Sequence, residues 1–373
     1  MGRRLPSAPP ILSGYSYVRP LGTGGFADVF LFEQNMPRRS VAVKVLLQDI
    51  VDDDVLRSFN AEADVMARLS SHPSILTVYN ASISADGRPY LVMEFCPGSY
   101  SSRQRAEPLL LATVLNVAVK IACALETAHR SQVLHRDIKP SNILTTTFGG
   151  PVLGDVGIAA SLAGGASDEL FAMSLPWSAP EVVDERTTGS IATEVWSFGA
   201  TLYSLLADRA PFELPAGSTG TRAQLKQRIS RAKYTTIGRA DVPPTLETIL
   251  ARMMSRDPGA RQASLLECAH DLQCVQRDLG LPISALEVAD AAWASAGAPV
   301  DFNNREARGP VVTDVVGSSL RPARRRASPT PDGTGTDDEA PRRTRLGLTL
   351  LLVGAVAVGG GATVGALVLA RLI

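Results

Sequence analysis

The sequence predicts an α+β fold of two lobes, a small β-rich one followed by a larger helical one, then a linker and one transmembrane helix. Three observations carry this. Residues 15–95 hold short runs that alternate apolar and polar side chains, the period of half-buried strands. From residue 109 apolar positions recur at helical spacing instead. Beyond 280 the composition turns to Gly, Pro, Arg, Asp, Ser and Thr, and residues 346–370 carry no charge at all.

The 373 residues suffice for one large two-lobed domain with a sizeable core, or for two ordinary domains. Basic and acidic side chains balance at 37 each, so overall charge points to no nucleic-acid partner. Cys96, Cys123, Cys268 and Cys274 show no C-x-x-C spacing, which argues against a disulfide framework or zinc site and for reduced thiols in a cytosolic domain. No apolar signal segment opens the chain. Pro6 stands where an acylation signal after Gly2 needs Ser or Thr.

Residues 1–14, with Pro6, Pro9 and Pro10, read as a flexible lead-in. Tyr15–Pro20 reads as a first strand. The run Leu21, Gly22, Thr23, Gly24, Gly25, Phe26, Ala27, Asp28, Val29 follows. Glycines at this density let backbone N–H groups approach phosphates, although a plain hairpin turn fits the same run. In Val41-Ala42-Val43-Lys44-Val45 a lysine sits inside an apolar strand. Buried unpaired it is costly, so it wants an anion; the alternative is a lysine snorkelling from an edge strand. Residues 55–70 have helical period, with Val55, Phe59, Met66 and Leu69 on one face and Glu62 and Asp64 as acids. Residues 75–84 and 89–95 flank Asp86-Gly87 as a hairpin. Residues 109–130 form a long apolar-periodic helix ending at His129-Arg130, where His129 reads as a satisfied helix-end histidine.

The densest chemistry lies in His135-Arg136-Asp137-Ile138-Lys139-Pro140-Ser141-Asn142. A carboxylate able to take a proton, a cation able to offset phosphate charge and an amide able to hold a divalent cation share one loop. Asp155-Val156-Gly157 follows the apolar run ending at Gly154 and adds a second metal-binding acid.

Together these motifs resemble a eukaryotic-type protein kinase domain of the actinobacterial kind over residues 15–280, with a small lobe at 15–95 and a large lobe at 98–280. The resemblance implies a two-lobed kinase fold that binds ATP with Mg²⁺, or Mn²⁺ in its place. Gly22 and Gly24 match the first two glycines of the phosphate-covering loop, in which Leu21, Thr23, Gly25, Phe26, Ala27 and Val29 would also meet the nucleotide. Lys44 matches the lysine on the α- and β-phosphates, and Glu62, rather than Asp64, its helix partner. Ala42, Leu144 and Met93 would line the adenine pocket, Met93 serving also as core. Glu94 and Cys96 match the connector whose backbone bonds the adenine edge. Asp137 would be the catalytic base, Lys139 its phosphate-neutralising neighbour, and Asn142 and Asp155 the metal ligands. Asp-x-Lys-Pro-x-Asn resembles the serine/threonine branch, so protein Ser and Thr hydroxyls are the implied acceptors. Glu181 of Ala179-Pro180-Glu181 is expected to pair with Arg261 and hold the large lobe.

Three positions depart from the family pattern: Ala27 for the third glycine, Val156 for the aromatic after Asp155, and Glu194 for an aspartate at the start of the large lobe's central helix. They are what a catalytically dead scaffold would draw on, while Lys44, Glu62, Asp137, Asn142 and Asp155 argue for an active enzyme. A small-molecule kinase is disfavoured by Ala179-Pro180-Glu181. No Thr or Tyr lies between Asp155 and Glu181, so Ser161 or Ser167 is the expected activating phosphosite, with Arg136 as its receptor; Ser174 fits a structural role beside Asp137 and Lys139.

Residues 281–345 read as a linker too polar to fold, and 346–370 as a membrane-spanning helix rather than a buried soluble one. Arg342, Arg343 and Arg345 before it keep the kinase domain cytoplasmic, and Arg371-Leu372-Ile373 leave no room for an external domain. Gly361-x-x-x-Gly365 offers a face on which two such helices could pack as a homodimer. The expected whole is a single-pass, membrane-tethered serine/threonine kinase that contacts lipid through its last helix.

Overall fold

The computed structural model describes residues 4–155, 174–213 and 220–289, without the side chains of residues 53, 54, 58, 61 and 62. The expected activation segment sites Ser161 and Ser167, Val156, and the membrane helix at 346–370 lie outside the described residues.

The small lobe is a five-stranded antiparallel sheet in the order β1-β2-β3-β5-β4. Its strands are β1 (Tyr15–Thr23), β2 (Ala27–Asn35), β3 (Arg38–Leu46), β4 (Val78–Ile83) and β5 (Pro89–Glu94). Alternation in β3 sorts its side chains between the faces. Val41, Val43 and Val45 are fully buried with Phe30, Phe32, Tyr90 and Val92 on one face. Ala42, Lys44 and Leu46 point to the other, as the period of two requires. There Leu46 packs with Phe59, Ala63 and Met66 of helix α1 (Asp53–Leu69), whose first turn Asp52 caps at the Val55 N–H.

Residues 4–14, expected to be a loose lead-in, lie against this sheet. Leu12 joins the Val43 and Phe30 cluster. Arg88, itself buried, donates to Ser7 Oγ and the Ala8 carbonyl. Prolines stiffen the run rather than loosen it, because each fixes φ and lowers the entropy lost on ordering.

The large lobe is built on helix α3 (Leu111–Arg130), most of whose residues are buried. Among the described residues it is the one helix long and apolar enough to cross a membrane, and 78% of its apolar window is covered by the protein, as befits a core helix. Helix α2 (Tyr100–Ala106) precedes it. Ser99 and Ser102 form its capping box, each side chain accepting the other's backbone N–H. Around α3 stand α4 (Pro180–Val183), α5 (Ile191–Ala207), α6 (Arg222–Arg231), α7 (Pro244–Met253) and α8 (Leu265–Asp278). Short strands β6 (Gly98–Ser99), β7 (Ile143–Thr145) and β8 (Pro151–Leu153) form a second sheet at the edge facing the small lobe.

The folded region also runs past the expected boundary at 280. Ser284 is buried and exchanges hydrogen bonds with Gln276 and Asn116. Glu287 offers its carbonyl to His72 Nε2 at 2.6 Å, so residues 281–289 tie the large lobe to the end of α1.

Glu181 and Arg261 pair in a fork, with Nη1–Oε1 at 2.6 Å and Nη2–Oε2 at 3.0 Å. Arg261 also donates to the carbonyls of Ser255 and Ala192 and lies over Trp196. Four of its five N–H donors are thus engaged, two of them on the buried Glu181 carboxylate, which makes either half hard to lose. Arg261→Met should cost about 3–5 kcal/mol by stranding the Glu181 charge, and a Glu181→Met/Arg261→Leu double variant should recover most of it. Denaturant unfolding of the three proteins checks both values.

Candidate active site

The site is assembled where β3, the loop after α3 and the end of β8 meet. Lys44 leaves the middle strand β3, opposite Val29 in β2 and Leu91 in β5. Its Nζ donates to Asp155 Oδ1 at 2.6 Å across the two lobes. The sequence reading paired Lys44 with Glu62; Glu62 lies in α1, but its side chain is outside the described set.

The Lys44 ammonium holds the Asp155 carboxyl below its ordinary value of 3.8, outweighing burial, which pushes it up. With 48% of the Asp155 side chain exposed, solvent screens part of this attraction. Asp155 also sits in the left-handed region, at φ +55°. For a non-glycine residue that conformation costs about 1–3 kcal/mol, and the cross-lobe ion pair helps hold it.

The loop after α3 supplies the opposite wall. Asp137 Oδ2 lies 2.8 Å from Lys139 Nζ. Asp137 Oδ1 accepts from Ser174 Oγ at 2.5 Å, and Lys139 Nζ donates to that same hydroxyl at 3.1 Å. Asn142, on a single 3₁₀ turn over Pro140–Asn142, donates through Nδ2 to the Asp137 carbonyl and to Oδ2. Its amide oxygen is thereby turned away from Asp137. Four of the expected side chains thus form one hydrogen-bonded cluster.

His135 is fully buried, and both of its ring nitrogens are engaged by backbone groups. Its Nδ1 accepts the Asp137 N–H, and its Nε2 meets the Gly154 carbonyl at 2.9 Å, so the proton resides on Nε2. It links the Asp137 loop to the residue before Asp155.

Helix α5 holds the loop from below. Glu194, 2% exposed, accepts the Arg136 N–H on Oε1 at 2.6 Å and the His129 Nε2–H on Oε2 at 2.5 Å. Two turns on, Thr201 donates to the Ile138 carbonyl. Residues seven apart share one face of the helix, so α5 presents both anchors together. Arg136 is left-handed at φ +64°, a conformation over-determined by the Glu194 contact.

Above the charged cluster lies an apolar shelf. Ala42, Leu76, Met93 and Val152 are buried in it, with Leu21, Val29, Val78, Cys96 and Leu144 partly buried beside them. The shelf draws on both lobes, which exchange backbone bonds from Leu76 N–H to the Leu153 carbonyl and from Leu153 N–H to the Ser74 carbonyl. Burial, reinforced by the Glu94 charge, pushes the Cys96 thiol up to about 12, so it serves as neutral apolar lining rather than as a nucleophile. Burial likewise raises the Glu94 carboxyl. Gly22, Thr23, Gly24, Gly25 and Phe26 span the end of β1 and the tip between β1 and β2, where the Gly24 N–H donates to the Ala27 carbonyl. Ala27 itself is buried in the small-lobe core with Leu46 and Phe59. Its methyl group faces that core, so the missing third glycine is absorbed there.

A charged cleft roofed by an apolar shelf, between a sheet and a helical lobe, is matched by sequence comparison. The model of the protein kinase domain matches residues 15–272. The chain belongs to the protein kinase domain family. Within that family, PknK of Mycobacterium tuberculosis, named a serine/threonine-protein kinase, is 37% identical over 278 residues, covering 74% of this chain and 25% of that protein. PknJ of the same species is 33% identical over 273 residues, covering 71% and 46%. PrkC of Bacillus subtilis is 31% identical over 265 residues, covering 69% and 39%. The chain therefore spans between a quarter and a little under half of the length of these relatives.

Within this kinase domain the sequence reading missed Leu76, Val78 and Val152 of the shelf. Each lies in or beside a short strand whose apolar residues look like any others until the lobes meet. Glu194, carried as a departure from the family, bonds the loop backbone despite its extra methylene, and its second oxygen reaches His129.

The Lys44–Asp155 pair carries a pH signature. Its contribution is present above the ordinary carboxylate value and is lost as pH falls through the lower folded one. A ¹³C titration of the Asp155 carboxyl should give a midpoint below 3.8. In Lys44→Met the midpoint should rise, because the cation is gone while the burial remains.

Proposed function

We propose that the chain transfers the γ-phosphoryl group of ATP to serine and threonine hydroxyls of proteins, its own included, from a position tethered to the membrane. The observation that carries this is the Asp137–Lys139–Ser174–Asn142 cluster facing Lys44 and Asp155.

The adenine would lie on the shelf of Ala42, Met93, Leu144, Leu21 and Val29, its edge against the Glu94 and Cys96 backbone. The glycine run would cover the phosphates. Lys44 would leave Asp155 to meet them, since both partners are already placed at the cleft. Asp155 and Asn142 offer hard oxygen donors, the set that Mg²⁺ takes, and few protein ligands suffice because phosphate oxygens and water fill the rest. When bound, the cation supplies charge neutralisation on the phosphates. Asp137 orients the acceptor hydroxyl and takes its proton. The hydroxyl oxygen bonds to the γ-phosphorus as the bond to the bridging oxygen breaks, and ADP leaves with that oxygen. Lys139 offsets the charge that develops on the transferred group. Positioning and electrostatics account for most of the rate, because the reaction needs little covalent help. Lys139 after Asp137, with Ser174 bridging the two, supports a serine/threonine acceptor; the relatives named above carry that description in their names.

The membrane tether rests on the uncharged run 346–370 and the arginines before it. Contact with lipid, a cytoplasmic kinase domain and pairing through Gly361-x-x-x-Gly365 belong to the same proposal.

The test is transfer of labelled γ-phosphate to a generic protein substrate and to the chain itself. Asp137→Asn should lower the rate about 10²–10⁴-fold, the usual worth of a positioned base. Label should appear on Ser and Thr alone, and the activity should sediment with membranes. An Asp137→Asn protein as fast as the wild type would overturn the reading.

A further inference from the structure

We propose that the N-terminal strap is part of the nucleotide site: Arg4 is a positioning residue that staples the two ends of the glycine loop and so sets its affinity for ATP. This rests on the kinase reading above and deepens it.

Asp28 is the starting point. It is the second residue of β2, directly after the glycine tip, and it is 0% exposed. A carboxylate is not buried without partners. No partner comes from its own sheet. Arg4 Nη2 reaches Asp28 Oδ1 at 2.5 Å, and the Ser7 N–H reaches Oδ2 at 2.7 Å. The same Arg4 nitrogen donates to the Gly24 carbonyl at 3.2 Å. Gly24 and Asp28 stand on opposite sides of the tip that carries Gly25 and Phe26. One guanidinium therefore closes the turn from outside, while the Gly24 N–H closes it from within on the Ala27 carbonyl at 2.8 Å.

The strap is fastened well enough to transmit this. Leu12 is 5% exposed among Phe30, Val43 and Tyr90. Arg88 grips Ser7 and Ala8 from the β4–β5 turn and is braced in turn by Asp86, whose carboxyl its guanidinium pulls down to about 2. Pro6, Pro9 and Pro10 leave little slack between these points. Burial alone would raise the Asp28 carboxyl, but the hydrogen bonds from Ser7 and Arg4 bring it below the ordinary value, so its charge is retained beside the tip. A glycine-rich tip is mobile when left to itself, and the phosphates must pay to order it. A tip already closed by Arg4 costs less to order.

The experiment measures affinity for Mg·ADP by calorimetry on the full chain in detergent, together with steady-state phosphate transfer. Arg4→Ala should weaken Mg·ADP binding about fivefold and raise the KM for ATP equally. Maximal rate and the KM for protein substrate should stay within about twofold, the pattern of lost ground-state binding. Arg4→Lys should restore part of the affinity, and Asp28→Asn combined with Arg4→Ala should add little to either alone, because both remove one interaction. A purely structural strap would lower the melting temperature of Arg4→Ala while leaving nucleotide affinity unchanged at about 25 °C, well below that melting temperature. That result would overturn the proposal. A wild-type chain that binds Mg·ADP yet transfers no phosphate would sink the kinase reading instead, and the affinities would still decide the role of Arg4.

Discussion

One buried carboxylate carries the arrangement. Glu194 is enclosed by the large lobe, and both its oxygens are spent on the loop and the helix that deliver Asp137. Oε1 fixes the Arg136 N–H and with it a left-handed turn that no side chain would choose unaided. That turn aims Asp137 at the cleft, hands its N–H to His135 and lets His135 reach the Gly154 carbonyl beside Asp155. Without this anchor the loop would have several conformations of similar energy, and the cluster around Asp137 would have no reason to face Lys44.

The second constraint is the meeting of the lobes. β3 places Lys44 by simple alternation, and just past β8 that lysine helps hold Asp155 in its strained left-handed conformation. Backbone exchange between Leu76 and Leu153, and the His72–Glu287 contact behind it, keep the sheet and the helical lobe in register. The apolar shelf exists only because of that register, since its strand members come from β1, β2, β3, β4 and β5 of the small lobe and from β7 and β8. Charge below and apolar surface above are what a nucleotide triphosphate requires of a cleft.

Much of this could be read from the residues in order. The alternation of Val41–Val45 placed Lys44, the period of residues 55–70 placed Phe59 and Met66 on one face, and the Asp137–Asn142 spacing announced its own chemistry. These are local signals, each written within a turn or a strand. What escaped was written at long range. Pro6, Pro9 and Pro10 suggested looseness, yet Leu12 was needed to cover Phe30 and Val43, a debt visible only once the sheet exists. Residues 281–289 look like linker until Ser284 finds Gln276 and Asn116. Glu194 is the clearest case. A longer acid appeared as a flaw in the motif, and only the nearness of His129 shows where its extra reach is used.

The most direct measurement is single-turnover phosphate transfer by Glu194→Ala and Glu194→Gln beside the wild type, with folding verified by unfolding curves. Glutamine keeps an acceptor for the Arg136 N–H, and its amide can donate to His129 Nε2 once the imidazole carries its proton on Nδ1, so it should stay within about tenfold of the wild type. Alanine frees the loop and should lose about a hundredfold or more, as a displaced catalytic group does. An alanine variant that is folded and transfers phosphate at the wild-type rate would show that the loop does not hang from this carboxylate, and the account would fail at its centre.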